Sequence, residues 1–139
     1  MTLIECLVVL ALVALVAAIS LPLAREARSA FQLRLTAELL VSELAGIRAW
    51  AVSHNSLVTV RIAETGAAYG FAVPGREPER WIGLPSGIHF VRRPRHPLTF
   101  HSRGNVAPAG SLVLQSEAGE VRVVVAPMGR VRWEWITRE

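Results

Sequence analysis

The side chains that most often do chemistry are few in this sequence. Its histidines are His54, His89, His96 and His101, and all 11 acids are glutamates, so no aspartate can complete a Ser-His-Asp triad or an aspartate-rich metal loop. His96 and His101 have no third ligand nearby, whereas a zinc site needs three or four convergent ligands. Ser102 follows His101 without a nucleophile motif. We therefore expect no catalytic site, no metal site and no cofactor.

Arginine dominates the charged residues. All 15 basic residues are arginines and the formal net charge is +4, a balance that favours anionic partners. Two groups stand out, which are the run of Arg92, Arg93 and Arg95 and the pair Arg130 and Arg132. On a strand the pair would share one face about 7 Å apart, which suits successive phosphates of a nucleic acid. Two interpretations stay open: an anion-binding or DNA-binding surface, or a solvated strand face partly paired with Glu134.

Glu5 is the only charged residue in the first 24 positions. A carboxylate in an apolar environment is costly unless a cation or hydrogen-bond donors pair with it. Because Glu5 is so close to the amino terminus, the nearest cation is an α-amino group. That amine belongs either to the same chain or to a neighbouring chain.

The segment that follows Glu5 is long enough to cross a lipid bilayer. Residues 6–24 carry no charge, and a helix of that length spans roughly 29 Å. A cleavable signal peptide would need a basic start, whereas the early charge here is acidic. An ordinary single-span anchor would leave Glu5 unexplained. The only cysteine, Cys6, lies in this run, so no intramolecular disulfide can form.

Helical periodicity continues from residue 25 to about residue 53. At 100° per residue, one apolar stripe contains Leu33, Ala37, Leu40, Leu44, Ile47 and Ala51. A second stripe on the opposite side contains Phe31, Leu35, Leu39, Ser42 and Gly46. One stripe can cover a domain core, and the other needs a further partner unless the helix is buried on both sides within its own domain. Pro22 should kink or locally melt the helix.

After the turn signal at residues 54–56 the pattern changes to short strands and turns. The predicted strands cover residues 57–63, 68–73, 80–82, 88–92, 98–101, 111–116, 121–126 and 130–136. Many short strands after one long helix predict an α+β fold, with an antiparallel sheet packed on the helix. In the last strand, alternation points Trp133 and Trp135 towards the core, although the same rings could stack on bases.

The amino terminus resembles that of type IV pilins and type II secretion pseudopilins. The resemblance is carried by Met1-Thr2-Leu3-Ile4-Glu5, the apolar run and Pro22, with Met1 in place of the usual Phe. Phe100-x-x-x-Gly104, Leu112-Val113-Leu114 and Gly129-Arg130-Val131-Arg132 are similar to the minor pseudopilin H and FimT-type minor pilin family. Together these motifs cover nearly the whole chain.

The resemblance implies a non-enzymatic minor subunit of a type IV pilus or a type II secretion pseudopilus. It implies that prepilin peptidase removes a leader, so that the printed numbering is mature numbering, and that Met1 is then N-methylated. It also implies that Glu5 pairs with the terminal amine of an adjacent subunit. The expected organisation is a transmembrane or filament-core helix at 1–24, its amphipathic continuation at 25–54 and a β-rich head at 55–139.

Location and partners follow from the same resemblance. We expect a single-pass protein of the bacterial inner membrane with a periplasmic head, which assembles with other pilins or pseudopilins at or near the filament tip. The alternative is a DNA-binding FimT-type minor pilin for DNA uptake, because that group carries a similar Gly-Arg-x-Arg near its carboxyl terminus. The sequence leaves the type of machine open.

Overall fold

The computed structural model describes residues 2–136, except for the side chains of residues 19–23. Within these residues one long helix precedes eight strands, which confirms the predicted α+β fold. Among the described residues, no helix combines the length and the apolar character that crossing a membrane requires. The predicted segment 1–24 includes Met1 and the side chains of residues 19–23, which lie outside the description.

Helix α1 spans Leu3–Ser53. Its 51 residues rise roughly 77 Å, and it continues through Pro22 without a break, so the predicted melting at that position is not observed. At its end, the His54 N–H donates to the Trp50 carbonyl oxygen at 3.0 Å. Asn55 adopts a φ of 48°, the left-handed conformation that asparagine tolerates after a helix. The turn predicted at residues 54–56 is therefore confirmed.

The carboxyl-terminal part of α1 packs one stripe of side chains into the head. Leu33, Leu40 and Leu44 are fully buried or nearly so. Ala37 and Ala51 are fully buried as well. The partly buried Ile47 packs against the same core. The spacing of three and four residues puts all of them on one side of the helix. The first predicted stripe is thus confirmed as the core face of α1.

Eight strands follow the helix, close to all eight predicted positions. They are β1 (Val58–Ile62), β2 (Ala68–Ala72), β3 (Trp81–Gly83), β4 (His89–Arg92), β5 (Thr99–Phe100), β6 (Gly110–Ser116), β7 (Gly119–Val125) and β8 (Val131–Trp135). They form two four-stranded sheets, with orders β3-β2-β1-β5 and β4-β6-β7-β8, and every pairing within them is antiparallel. The sequence predicted the antiparallel strands and not their division into two sheets.

The core lies between α1 and the inner faces of the two sheets. Strand β7 shows the alternation most clearly, because Val121, Val123 and Val125 are buried while Arg122 and Val124 are only partly covered. From the first sheet, Val58 and Val60 of β1 enter the same core cluster. The helix therefore holds together two sheets that do not pair with each other.

A hydrogen bond ties the first sheet to the helix. The Tyr69 hydroxyl on β2 donates to a carboxylate oxygen of Glu43 on α1. The Tyr69 ring is buried and packs edge-on against Phe71 and Phe90. Burial, together with the hydrogen bond to Glu43 and the charge of that carboxylate, raises the pKa of Tyr69 well above its usual range. The neutral phenol is therefore part of the folded state.

Two glycine turns meet at an arginine of the helix. The Arg48 Nε–H donates to the Gly104 carbonyl oxygen at 2.8 Å. Gly129 has a φ of 78°, and a Cβ there would lie 2.1 Å from that oxygen and 2.5 Å from the Arg48 Nε. Only glycine fits such a conformation and such a close approach. Gly129 thereby fixes the turn that leads into β8.

The tryptophans of β8 differ in burial. Trp133 is partly buried against the core, with the guanidinium of Arg34 at 6.0 Å from the ring centroid. Trp135 is on the core side of the sheet as predicted, but it is 44% exposed and so is not part of the buried core. It lies at the end of an edge strand, opposite Val121, where only one neighbouring strand flanks it.

Candidate functional site

Glu5 occupies the first turn of α1. Its Oε2 accepts a hydrogen bond of 3.3 Å from the backbone N–H of Thr2, and its own backbone N–H donates to the Thr2 carbonyl oxygen at 3.0 Å. This is the carboxylate half of a helix capping box, a role that the sequence analysis missed. Among residues 2–136, Glu5 has no ion-pair partner. Met1, the other predicted residue of this site, lies outside the described residues.

Apolar side chains surround Glu5 and are open to the outside. Leu3 and Ile4 are 80% and 70% exposed, and Cys6 is also exposed. The large exposed side chains that follow are Leu7, Val8, Val9, Leu10, Leu12, Val13, Leu15 and Val16. They cover every side of the helix, because nearly every position of the segment contributes one. This part of α1, residues 3–15, is called the free segment below.

The second predicted stripe is exposed on the packed part of α1. Phe31 and Leu39 are 61% and 63% exposed, and Leu35 lies between them at 41%. Ser42 and Gly46 continue the row on the same side and are exposed as well. Within one chain the helix is therefore buried on one side only. This row, Phe31-Leu35-Leu39, is called the outer stripe below.

Arg130 and Arg132 lie together at the outer edge of the second sheet. Both are exposed, and with Val124 and Ala126 they line a cavity of about 290 Å³. Arg132 pairs with Val124 in the β7–β8 register, and the Ala126 N–H donates to the Arg130 carbonyl oxygen at 2.9 Å. The two arginines therefore lie beside each other as the alternation predicts, and their role in binding an anion or DNA stays a prediction.

Glu134 has a different partner from the one considered in the sequence analysis. Its carboxylate lies 3.5 Å from the Arg122 guanidinium on β7. Arg122 and Glu134 are directly opposite each other in the β7–β8 register, two positions from the pair of Val124 and Arg132. Arg122 was missed because cross-strand register decides this contact and the order of residues in one strand does not. Arg130 and Arg132 have no ion-pair partner in the described part of the chain.

The second predicted arginine group lies elsewhere. Arg92 ends β4, and Arg93 and Arg95 follow it in an exposed loop. Arg93 and Arg95 line a different cavity from that of Arg130, and they share it with Arg61 of β1. The sequence analysis did not identify Arg61 as part of this group, because its position in an alternating strand is typical of an ordinary surface residue. The two arginine groups thus form two separate basic surfaces.

These observations define a class of protein. A helix that is free at its amino-terminal end, with an acidic residue in its first turn, and packed at its other end on antiparallel sheets is the architecture of a pilin-type filament subunit. Residues 36–129 match the family described as type II transport protein GspH. This match covers more than half of the chain, and the protein belongs to the GspH family, whose members are minor pilins or pseudopilins.

Solved structures agree with this fold. The chain is similar to the type IV minor pilin FimU of Pseudomonas aeruginosa (strain PAO1), with 20% identity over 73% of this chain and 87% of FimU and a TM-score of 0.60. It is also similar to the minor pseudopilin EpsH from the type 2 secretion system of Vibrio cholerae, with 16% identity over 75% of this chain and 97% of EpsH and a TM-score of 0.59. No curated protein sequence matches the chain significantly.

Proposed function

We propose that this protein is a structural, non-enzymatic subunit that sits in the bacterial inner membrane before assembly and in the core of a filament afterwards. The free segment carries the proposal, because its apolar side chains are exposed on all sides of the helix. Such a surface requires an apolar environment, either lipid or the helices of other subunits. The head would face the periplasm, and the subunit would lie at or near the filament tip.

In this proposal, Glu5 fixes the axial position at which the helices of neighbouring subunits pack against each other. In an apolar filament core its carboxylate needs more than the single N–H of Thr2, and a terminal amine of an adjacent subunit would neutralise it. The amine becomes available at Met1 once prepilin peptidase has removed a leader, after which Met1 is N-methylated. An adjacent chain inserted at the wrong depth would leave both charges unpaired.

The processing step is tested by the mass of the protein purified from its own host. We expect a chain that begins at Met1 with one added methyl group, recovered with the membrane and with sheared filaments. In a strain that lacks prepilin peptidase, we expect a longer, unmethylated chain that is absent from the filaments. An unprocessed chain in the wild-type strain would contradict this proposal, and so would its absence from every filament fraction.

DNA uptake is the second candidate function, favoured by Arg130 and Arg132. These two arginines have no ion-pair partner among residues 2–136 and are exposed side by side, so their guanidinium groups can contact neighbouring phosphates. Mobility shifts of duplex DNA with the full chain in neutral detergent test this. Replacing both residues by alanine should weaken binding and reduce the slope of affinity against salt by about 2, if each contacts one phosphate. Replacing Arg76 and Arg80 by alanine is the control. Absence of binding at low salt would exclude this function.

A further inference from the structure

A cavity lies at the end of the head nearest the free segment. It measures about 320 Å³ and is lined by three parts of the chain, which are helix residues 25–32, the turn before β4 and the hairpin between β6 and β7. Its helix residues precede Leu33, where the buried face of α1 begins. The cavity is therefore beside the boundary between the apolar run and the head, and it is called the basal cavity below.

Two arginines dominate the charge of the basal cavity. Arg25 and Arg28 line it and are exposed, and neither has an ion-pair partner among the side chains that the structure describes. Because they are three positions apart on α1, they are neighbours on one face of the helix. Glu117 is the one acid among the described lining residues, so two arginines and one glutamate give a formal charge of +1. This charge favours an anion with one negative charge.

Neutral hydrogen-bond donors line the basal cavity beside the two guanidinium groups. The Ser116 hydroxyl oxygen accepts from the Ser29 hydroxyl at 3.4 Å and from the Ala118 N–H at 3.2 Å. Its own O–H has no acceptor among the described residues, and neither has the side-chain amide of Gln32, which also lines the cavity. The oxygens of a phosphodiester accept hydrogen bonds from guanidinium, hydroxyl and amide groups alike. The donors of this cavity therefore suit a phosphate group.

The position of the basal cavity along α1 favours a lipid as the source of the phosphate. Arg25 directly follows the uncharged residues 6–24, whose helical length of roughly 29 Å matches the hydrocarbon thickness of a bilayer. With that run in the membrane, Arg25 would be at the level of the lipid headgroups, and Arg28 about 4.5 Å further out. Basic side chains at this level attract anionic lipids. A free phosphate ion is not held at this level, whereas the headgroups always are.

We propose that the basal cavity binds the phosphodiester of an anionic membrane phospholipid, such as phosphatidylglycerol, which has one net negative charge. The guanidinium groups of Arg25 and Arg28 donate to the phosphate oxygens, and the Ser116 O–H and the Gln32 amide supply further donors. Such binding would hold the head at a fixed height on the membrane surface until the subunit enters the filament. The inference rests on the proposed function, because it requires the apolar run to lie in the membrane.

The test follows the Nε–H resonances of the full chain, labelled with ¹⁵N-arginine, in neutral detergent. The probes are dihexanoyl-phosphatidylglycerol, the zwitterionic dihexanoyl-phosphatidylcholine and inorganic phosphate. Arg25→Lys and Arg28→Lys identify the two signals, because lysine has no guanidinium Nε–H. We expect phosphatidylglycerol to shift both signals saturably. The other two probes should bind about tenfold or more weakly, since phosphatidylcholine has no net negative charge and inorganic phosphate has no acyl chains to hold it beside the apolar run.

Variants at exposed positions change the charge of the basal cavity without disturbing the core. Arg25→Gln should weaken the binding of phosphatidylglycerol about tenfold, measured at the Arg28 signal, because one charge-assisted contact is lost. Glu117→Gln should strengthen it about twofold or more, because the negative charge of the lining is removed. Arg76→Gln, at an exposed position that does not line the cavity, is the matched control and should bind like the wild type.

Fractionation of cells separates this inference from the proposed function on which it rests. If the wild type is recovered with the membrane but phosphatidylglycerol causes no saturable shift, this inference alone is overturned. If the wild type is absent from the membrane, both are overturned. Equal binding of phosphatidylcholine or of inorganic phosphate would also overturn the lipid site, and so would weaker binding by the Glu117→Gln variant.

Discussion

The two ends of α1 have the same backbone conformation and opposite surroundings. In the free segment the apolar side chains are exposed all round, whereas from Leu33 onwards one side of the helix is buried against two sheets. Both regions are rich in apolar residues, but only the packed part also contains several charged residues, such as Arg34, Glu38 and Arg48. The head of the same chain covers the packed part, and we propose that lipid or other subunits cover the free segment.

The outer stripe shares one property with each of these two regions. It belongs to the packed part of α1, but it is exposed like the free segment. The same helix therefore has a side buried against its own head and, opposite to it, an exposed apolar side, which we propose contacts neighbouring subunits. Stability measurements should respond to the first surface, and assembly measurements should respond to the second.

The largest effect on stability is expected at the buried face. Leu44→Ala should lower the free energy of unfolding by about 3 kcal/mol, because it leaves a cavity among fully buried side chains. Leu39→Ala, the matched change on the outer stripe, should lower it by less than about 0.5 kcal/mol. Urea unfolding of the full chain in neutral detergent, followed by near-ultraviolet circular dichroism, measures both. Equal losses at the two positions would contradict the assignment of the two faces.

A somewhat smaller loss is expected where the packed part of α1 meets the turn before β8. Gly129→Ala should cost about 2–3 kcal/mol, because its Cβ would collide with Gly104 and Arg48 in addition to the strained φ. Gly75→Ala is the control, with a φ of 84° and open space around it, and should cost only about 1 kcal/mol. Both are measured by the same unfolding experiment. A loss at Gly129 no larger than that at Gly75 would show that the close approach is unimportant.

Tyr69 makes the stability of the packed region depend on alkaline pH. Because the pKa of Tyr69 is raised in the folded state, its contribution is complete below the unfolded value of about 10 and is lost as the pH rises further. Tyr69→Phe should remove this alkaline loss and should cost about 1–2 kcal/mol at neutral pH, because Glu43 loses its donor.

Tyr69 is the only tyrosine, so tyrosinate absorbance reports on it alone. Titration of the folded chain to about pH 11 should give little tyrosinate, and full absorbance should appear only on unfolding. Ionisation near pH 10 with the fold intact would contradict the predicted shift in pKa.

The smallest effect on stability, with a clear effect on assembly, is expected at the outer stripe. Leu39→Glu should change the free energy of unfolding by less than about 0.5 kcal/mol, because the side chain is exposed. It should nevertheless reduce recovery of the subunit with sheared filaments, since a carboxylate would enter an apolar contact with a neighbour. Ala45→Glu, at an exposed position outside the stripe, is the control. Unchanged recovery of the Leu39 variant would remove the outer stripe from the assembly surface.

The features that could be predicted from the sequence depend on local periodicity. The buried face of α1 follows from a spacing of three and four residues, and the turn after Ser53 follows from the residue types there. The strands follow from short alternating runs between turn residues. Alternation within one strand also predicts that Arg130 and Arg132 share a face. These patterns are imposed by backbone geometry over a few residues, so one stretch of sequence contains them.

The features that could not be predicted depend on contacts between distant segments. The cavity lined by Arg61, Arg93 and Arg95 brings together β1 of one sheet and the loop that follows β4 of the other, which no local pattern encodes. The ion pair of Arg122 with Glu134 depends on the β7–β8 register. Trp135 was misjudged because alternation gives the side of the sheet and not how far the helix covers it.

Glu5 provides the most direct test that the free segment serves assembly. Glu5→Ala should leave the amount of membrane-bound subunit unchanged and should strongly reduce its recovery in sheared filaments, when assembly is measured in cells by quantitative immunoblotting. Glu26→Ala, at an exposed acid further along the same helix, should be recovered like the wild type. Equal recovery of the Glu5 variant and the wild type would contradict the account.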